Sequence, residues 1–105
     1  RVAVLNRAPY EFDAHVPHAL KAGMAQDSID ALHNPQAAQD EKTFSPKERD
    51  VLALTDTMTR DIDVPDAVFS AAKVHFSDQQ MTDLVATIAA YNMVSRFLTA
   101  FRIGH

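Results

Sequence analysis

Tyr10-Glu11-Phe12-Asp13-Ala14-His15-Val16-Pro17-His18-Ala19-Leu20-Lys21-Ala22-Gly23 sets a carboxylate and an imidazole one helical turn apart, with small residues at the next two turns. Residues four apart lie above one another on an α-helix, so Glu11, His15, Ala19 and Gly23 share one side. At 100° per residue, Ala8, Phe12, Val16, Ala19 and Gly23 form an apolar stripe, and Glu11, His15 and His18 run along its border. A border position is where the wall of a pocket would stand. Glu11 and His15 are of types that move protons, whereas Ala19 and Gly23 let another helix or a ligand come close. The plainer reading is a half-exposed helix pair contributing about 0.3 kcal/mol.

Pro17 interrupts this helix. It has no N–H for the carbonyl of Asp13 and disfavours helical geometry at Val16. Either the helix kinks after His15, freeing backbone groups beside the pair, or it starts again at Pro17.

Outward from this segment the chain reads as helical throughout. Gly23 and Gly104 are the two glycines, which leaves strands almost nowhere to turn. Ser45-Pro46-Lys47-Glu48 is a capping box with proline at the first helical position, and Val51, Leu52, Leu54, Thr55 and Met58 follow at helical spacing, predicting a helix over 46–60. After a bend at Val64-Pro65-Asp66, Val68, Phe69, Ala72 and His75 or Phe76 predict a short helix to about 75. Ser77-Asp78-Gln79-Gln80 is a second capping box and opens the longest helix, 78–101. Gly23 suits the left-handed residue after a helix end, and Ser28 to Leu32 form a short helix stopping before Asn34-Pro35. Gln36 to Lys42 is a polar connection, long enough to be mobile. Val2-Ala3-Val4-Leu5 has neither the length nor the flanks of a signal peptide and looks like the end of an element whose beginning is missing. The fold class is therefore all-α, a single domain over 1–105.

From Leu84 to Phe101 the last helix is apolar nearly all round, so it must be buried on several sides. Asn92 and Arg96 in its middle argue against a bilayer span. A chain of 105 residues has difficulty covering such a helix alone, and a homo-oligomer is expected. Buried Asn92 and Arg96 need partners. Arg96 either pairs with a carboxylate such as Asp56 or Asp61 or with helix-end carbonyls, or else Arg96 or Tyr91 reaches the pocket to hold a substrate carboxylate, which a planar five-donor group does well.

Ten Lys and Arg against fourteen Asp and Glu give a net charge of −4 with no basic cluster, so neither nucleic acid nor an anionic membrane is an expected partner. With no cysteine, disulfides, thiolate metal sites and thiol chemistry are all excluded. A metal site from Glu11, His15 and His18 lacks a matching carboxylate-x-x-His elsewhere, and His33, His75 and His105 have no ligand-like company, so no metal is expected. His75 sits where a histidine favours a helix C-terminal dipole. His105 occupies the place of a purification tag. The expected location is cytoplasmic.

The Glu-aromatic-x-x-His-x-x-x-Ala-x-x-x-Gly run resembles the core helix of the carboxymuconolactone decarboxylase and alkylhydroperoxidase D-like family. Phe44 to Asp56, Thr59-Arg60-Asp61, Val64 to Phe69, and Ala90 to Leu98 are similar to the decarboxylase-type branch in the same order, covering nearly the whole chain. The resemblance implies a helical bundle with helices packing between the subunits of a trimer or hexamer, and no cofactor. Registering the hydroperoxidase Cys-x-x-Cys-x-x-x-His motif on His15 puts its cysteines at Ala8 and Glu11, so the dithiol route to peroxide reduction is excluded. What remains is decarboxylation of a small carboxylated lactone such as 4-carboxymuconolactone, in aromatic acid catabolism. The family's further glutamate would fall upstream of Arg1, which implies a missing N-terminal portion. Phe12 stands where a tryptophan is common.

Loss of CO2 leaves electrons that must flow into a conjugated carbonyl, so such a site needs a donor where charge develops and an acid for carbon. On this reading His15 supplies the proton and Glu11 sets its tautomer and pKa, with Phe12, Tyr91 and Arg96 binding substrate. Two alternatives stand beside it: another cofactor-free isomerase or lyase acting on a small organic acid, and a non-catalytic ligand-binding or assembly protein.

Overall fold

Two serine capping boxes fix the phase of the longest helices. The computed structural model describes residues 1–103, and His105 lies outside them. The elements are α1 (Val2–Leu5), α2 (Pro9–Lys21), α3 (Gln26–Ala31), a 3-10 turn (Ala37–Gln39), α4 (Pro46–Arg60), α5 (Asp66–Lys73) and α6 (Asp78–Ala100), with no strand among the described residues. Ser45 accepts from the Glu48 amide while Glu48 reaches back to the Ser45 amide, and Ser77 and Gln80 repeat the exchange. Each exchange satisfies amides that a helix start otherwise leaves unpaired.

α2 runs unbroken through Pro17, so the chain does not restart there. Gly23 has φ +98° just past the α2 end, the left-handed conformation expected of it. Its expected second role, admitting a close neighbour, is absent: a Cβ at Gly23 would meet nothing within 4 Å.

α1 and α4 hold the rest together. α1 contacts α2, α4 and α6, and α4 contacts α5, α6 and the 3-10 turn. Apolar residues gather in two clusters. One joins Val2, Leu54, Ala72, Met81 and Ile88, and the other joins Ala37, Phe44 and Leu52. The second cluster organises the supposed connection, Gln36 to Lys42. Ala37 is fully buried there, and the Asp40 carboxylate accepts the Lys42 and Thr43 amides at 3.1 and 3.0 Å. The Thr43 side chain foremost, and those amide bonds after it, hold the Asp40 carboxyl below its usual value. His75 is tied to α4, its Nε2–H donating to Asp50 Oδ2 at 2.7 Å, so a carboxylate as well as the helix dipole accounts for it.

α6 departs furthest from expectation. Within this chain its buried residues are Met81, Ile88 and Ser95, at steps of seven, a single narrow seam. Met93 is 67% exposed and Phe101 69%, with Phe97 and Tyr91 also exposed. An all-round apolar helix carries no phase in its sequence, so which side the chain covers could not be read from it. Asn92 is half-buried and satisfied, accepting from Asn6 Nδ2 at 2.9 Å and donating to Thr59 Oγ1 at 3.1 Å. Arg96, expected to be buried, is exposed and makes no ion pair with Asp56 or Asp61. Asp56 is already committed to Arg1 and Arg60. No helix among the described residues is long and apolar enough to cross a membrane.

Candidate functional site

Between the two apolar clusters lies a cavity of about 410 Å³, within the size range of small-molecule sites. α2 forms one wall. Its stripe residues Phe12, Val16 and Ala19 line the space together with Glu11 and His15, so the face that periodicity marks as a packing seam borders a void. α4 contributes Val51, Leu52 and Thr55 opposite, and α6 contributes Thr87, Ile88 and Tyr91.

Glu11 is 4% exposed, and its Oε2 has no hydrogen-bond partner among the described residues. A buried carboxyl without partners resists ionisation. Burial accordingly pushes its pKa up, and the neighbouring His15 opposes that only in part. The pair does not meet side chain to side chain as expected. His15 Nδ1 lies 2.8 Å from the Glu11 backbone carbonyl, which only accepts, so the proton sits on Nδ1 and Nε2 is left as the free nitrogen. The main chain of Glu11 thus fixes the tautomer, and its carboxyl is left to act on its own. Tyr91 meets the His15 ring edge-on at 5.4 Å, and the His33 ring lies tilted against Phe12 at 4.4 Å.

The structure therefore brings Glu11, His15, Phe12 and Tyr91 to one cavity and leaves Arg96 outside its lining. His18 also stays out of the lining, its ring 6.3 Å from that of His15. No group of three metal-ligating side chains occurs among the described residues.

Arg1 lines the cavity, which sequence reasoning missed. Its side chain is 4% exposed and bidentate on Asp56, with Nε to Oδ1 at 2.8 Å and Nη2 to Oδ2 at 3.2 Å. Its Nη1 donates to the carbonyls of Leu32 and Asn34. Nothing local marks that contact, because its partners are distant in sequence. Thr55 and Thr87 were also missed, although the α4 stripe of Val51, Leu52 and Thr55 pointed to the first. Their hydroxyls donate to the Val51 and Asp83 carbonyls at 2.8 and 2.7 Å, leaving only lone pairs for a ligand.

No family model matches the chain. No solved structure matches it either. The chain is similar to the uncharacterized protein YdfG of Bacillus subtilis (strain 168), with 29% identity over 102 residues that cover 95% of this chain and 67% of the relative. That likeness spans α1 to α6 nearly in full and carries no statement about chemistry.

Proposed function

We propose that this protein is a cofactor-free acid–base enzyme, a lyase or isomerase in which Glu11 and His15 move protons on a small organic substrate held in the cavity. The observation that carries the reading is the buried Glu11 carboxyl, unpartnered at Oε2 and lining an apolar cavity beside a histidine whose Nε2 is free. In its protonated form Glu11 donates a hydrogen bond to a substrate carbonyl oxygen, where negative charge develops as an enolate forms. His15 Nε2 takes a proton from the adjacent carbon or, when charged, returns one. Phe12 and Tyr91 supply apolar contact around the reacting carbon.

Decarboxylation of a carboxylated lactone such as 4-carboxymuconolactone is the second reading. It is supported by the resemblance of α2 to the decarboxylase-type helix and by the meeting of Glu11, His15, Phe12 and Tyr91 at one cavity. The C–CO2 bond would break, its electrons pass to the conjugated carbonyl, and His15 protonates the carbon. This reading requires a cation for the second carboxylate, which Arg96 does not supply from its position and Arg1 has already committed to Asp56.

A cytoplasmic homo-oligomer of the alkylhydroperoxidase D-like kind, trimer or hexamer, belongs to the same proposal. Its support is the uncovered apolar surface of α6 at Met93, Phe97 and Phe101. The test of function is turnover by the His15→Ala variant, scored as deuterium uptake from solvent into carbonyl substrates and CO2 release from carboxylated lactones. A fall of about 10²-fold or more is expected. Turnover equal to the wild type would overturn the acid–base role and leave a binding or assembly protein as the better account.

A further inference from the structure

The walls of the cavity hold more information than its acid–base pair. Among its charged lining groups, Arg1 is the one guanidinium, and its donors are taken up by Asp56 and by the carbonyls of Leu32, Asn34 and Pro35. The two threonine hydroxyls give their protons to helix carbonyls. What remains to donate to a ligand's polar group is Glu11, His15 and the Tyr91 hydroxyl, and most of the remaining lining is apolar. An anion entering would lose its hydration and find the Arg1 guanidinium already paired, with His15 the remaining lining side chain able to carry positive charge. A second cavity, of about 260 Å³, shares Met24, Leu32, Val51 and Leu52 with the first and extends to Phe44, with Lys47 and Glu48 at its edge. Both spaces are therefore bounded by the same four apolar side chains. That second space lies on the side away from Glu11, since α2 contributes none of its lining.

We propose that this site takes a neutral, amphiphilic carbonyl compound, with the carbonyl seated at Glu11 and His15 and an unbranched apolar tail running between Leu32 and Leu52 toward Phe44. The proposal deepens the acid–base reading and rests on it only for the position of the head group. A protonated carboxyl donates to a carbonyl oxygen, whereas one such hydrogen bond does not replace the hydration that a ligand carboxylate loses on entering. Burial favours that protonated form of Glu11. The tail follows the apolar walls because each methylene withdrawn from water contributes to binding wherever it finds close contacts.

The experiment is calorimetric titration of the full chain with 2-pentanone, 2-heptanone and 2-nonanone, and with nonanoate and adipate as the singly and doubly charged comparisons. Affinity should rise about fourfold per added methylene along the ketones. At neutral pH 2-nonanone should bind more tightly than nonanoate, and adipate should not bind. Val51→Phe, at the shared wall, should weaken 2-nonanone more than 2-pentanone and remove the gain from 2-heptanone to 2-nonanone. Met24→Phe serves the same purpose if the Val51 variant does not fold. Glu11→Ala should weaken all three ketones by a common factor of about tenfold. A flat series, adipate binding more tightly than 2-nonanone, or ketone binding indifferent to both the Glu11 and the wall variants would overturn the proposal. Binding is read without turnover, so an inactive chain that shows the expected series overturns only the enzymatic reading. A catalytically competent chain with a flat series overturns only the ligand class.

Discussion

At the scale of single residues, His15 meets the main chain of Glu11, whose buried carboxyl keeps one oxygen without a partner. Because burial raises the Glu11 pKa, the folded state binds a proton more tightly there than the unfolded chain does. The slope of unfolding free energy with pH then has the sign of protons bound unfolded minus protons bound folded, which is negative. Stability should fall as pH rises from the ordinary carboxylate value through the raised one. Glu11→Gln, which keeps the shape and cannot ionise, should remove that fall, as denaturant midpoints across acidic to neutral pH will show. A fall of the same size in the variant would place its origin elsewhere. His15 is exposed and bonds to its own helix, so His15→Gln should leave the melting temperature nearly unchanged while lowering kcat by about 10²-fold. His18→Ala, outside the lining, should do much less. Glu11 and His15 were legible as a pair from their spacing. That the carbonyl of Glu11 holds His15, leaving the carboxyl unpartnered, was not, because it depends on the rotamers that burial selects.

At the scale of elements, α2 and α6 carry the contrasts. Pro17 sits inside α2 without breaking it, and the carbonyl of Asp13 loses its amide partner. Pro17→Ala restores that bond at an exposed position, so thermal unfolding should show a gain of about 1 to 3 kcal/mol. A loss of stability would mean that the proline conformation is needed for packing. Ser77→Ala removes one arm of the α6 capping box and should cost about 1 kcal/mol. The helices were legible because caps and periodicity are local. The burial of α6 was not, because a helix apolar on every side gives its neighbours no preferred face.

At the scale of the whole molecule, Arg1 and Asp56 join α4 to the end of α3, beside the cavity. Removing one partner of a buried ion pair strands the other, so Asp56→Ala should destabilise the fold by about 3 kcal/mol in chemical denaturation. A change below about 1 kcal/mol would show that the Leu32 and Asn34 carbonyls alone satisfy the guanidinium. The uncovered surface at Met93, Phe97 and Phe101 predicts a light-scattering mass of several chains. A mass of one chain would remove the oligomer.

By itself the sequence determined the all-helical class, the start of α4 and α6, the left-handed turn at Gly23 and the helical face shared by Glu11 and His15. Each follows from caps, φ preferences and a period of 3.6 residues, which act within a turn or two of chain. Only the tertiary structure decided that the α2 stripe borders a cavity, that Asp56 belongs to Arg1 and not to Arg96, and that α6 is covered along one seam. Those outcomes rest on contacts between residues far apart in the chain, chosen by competition for the same buried space and the same few charges, and no local spacing records who wins.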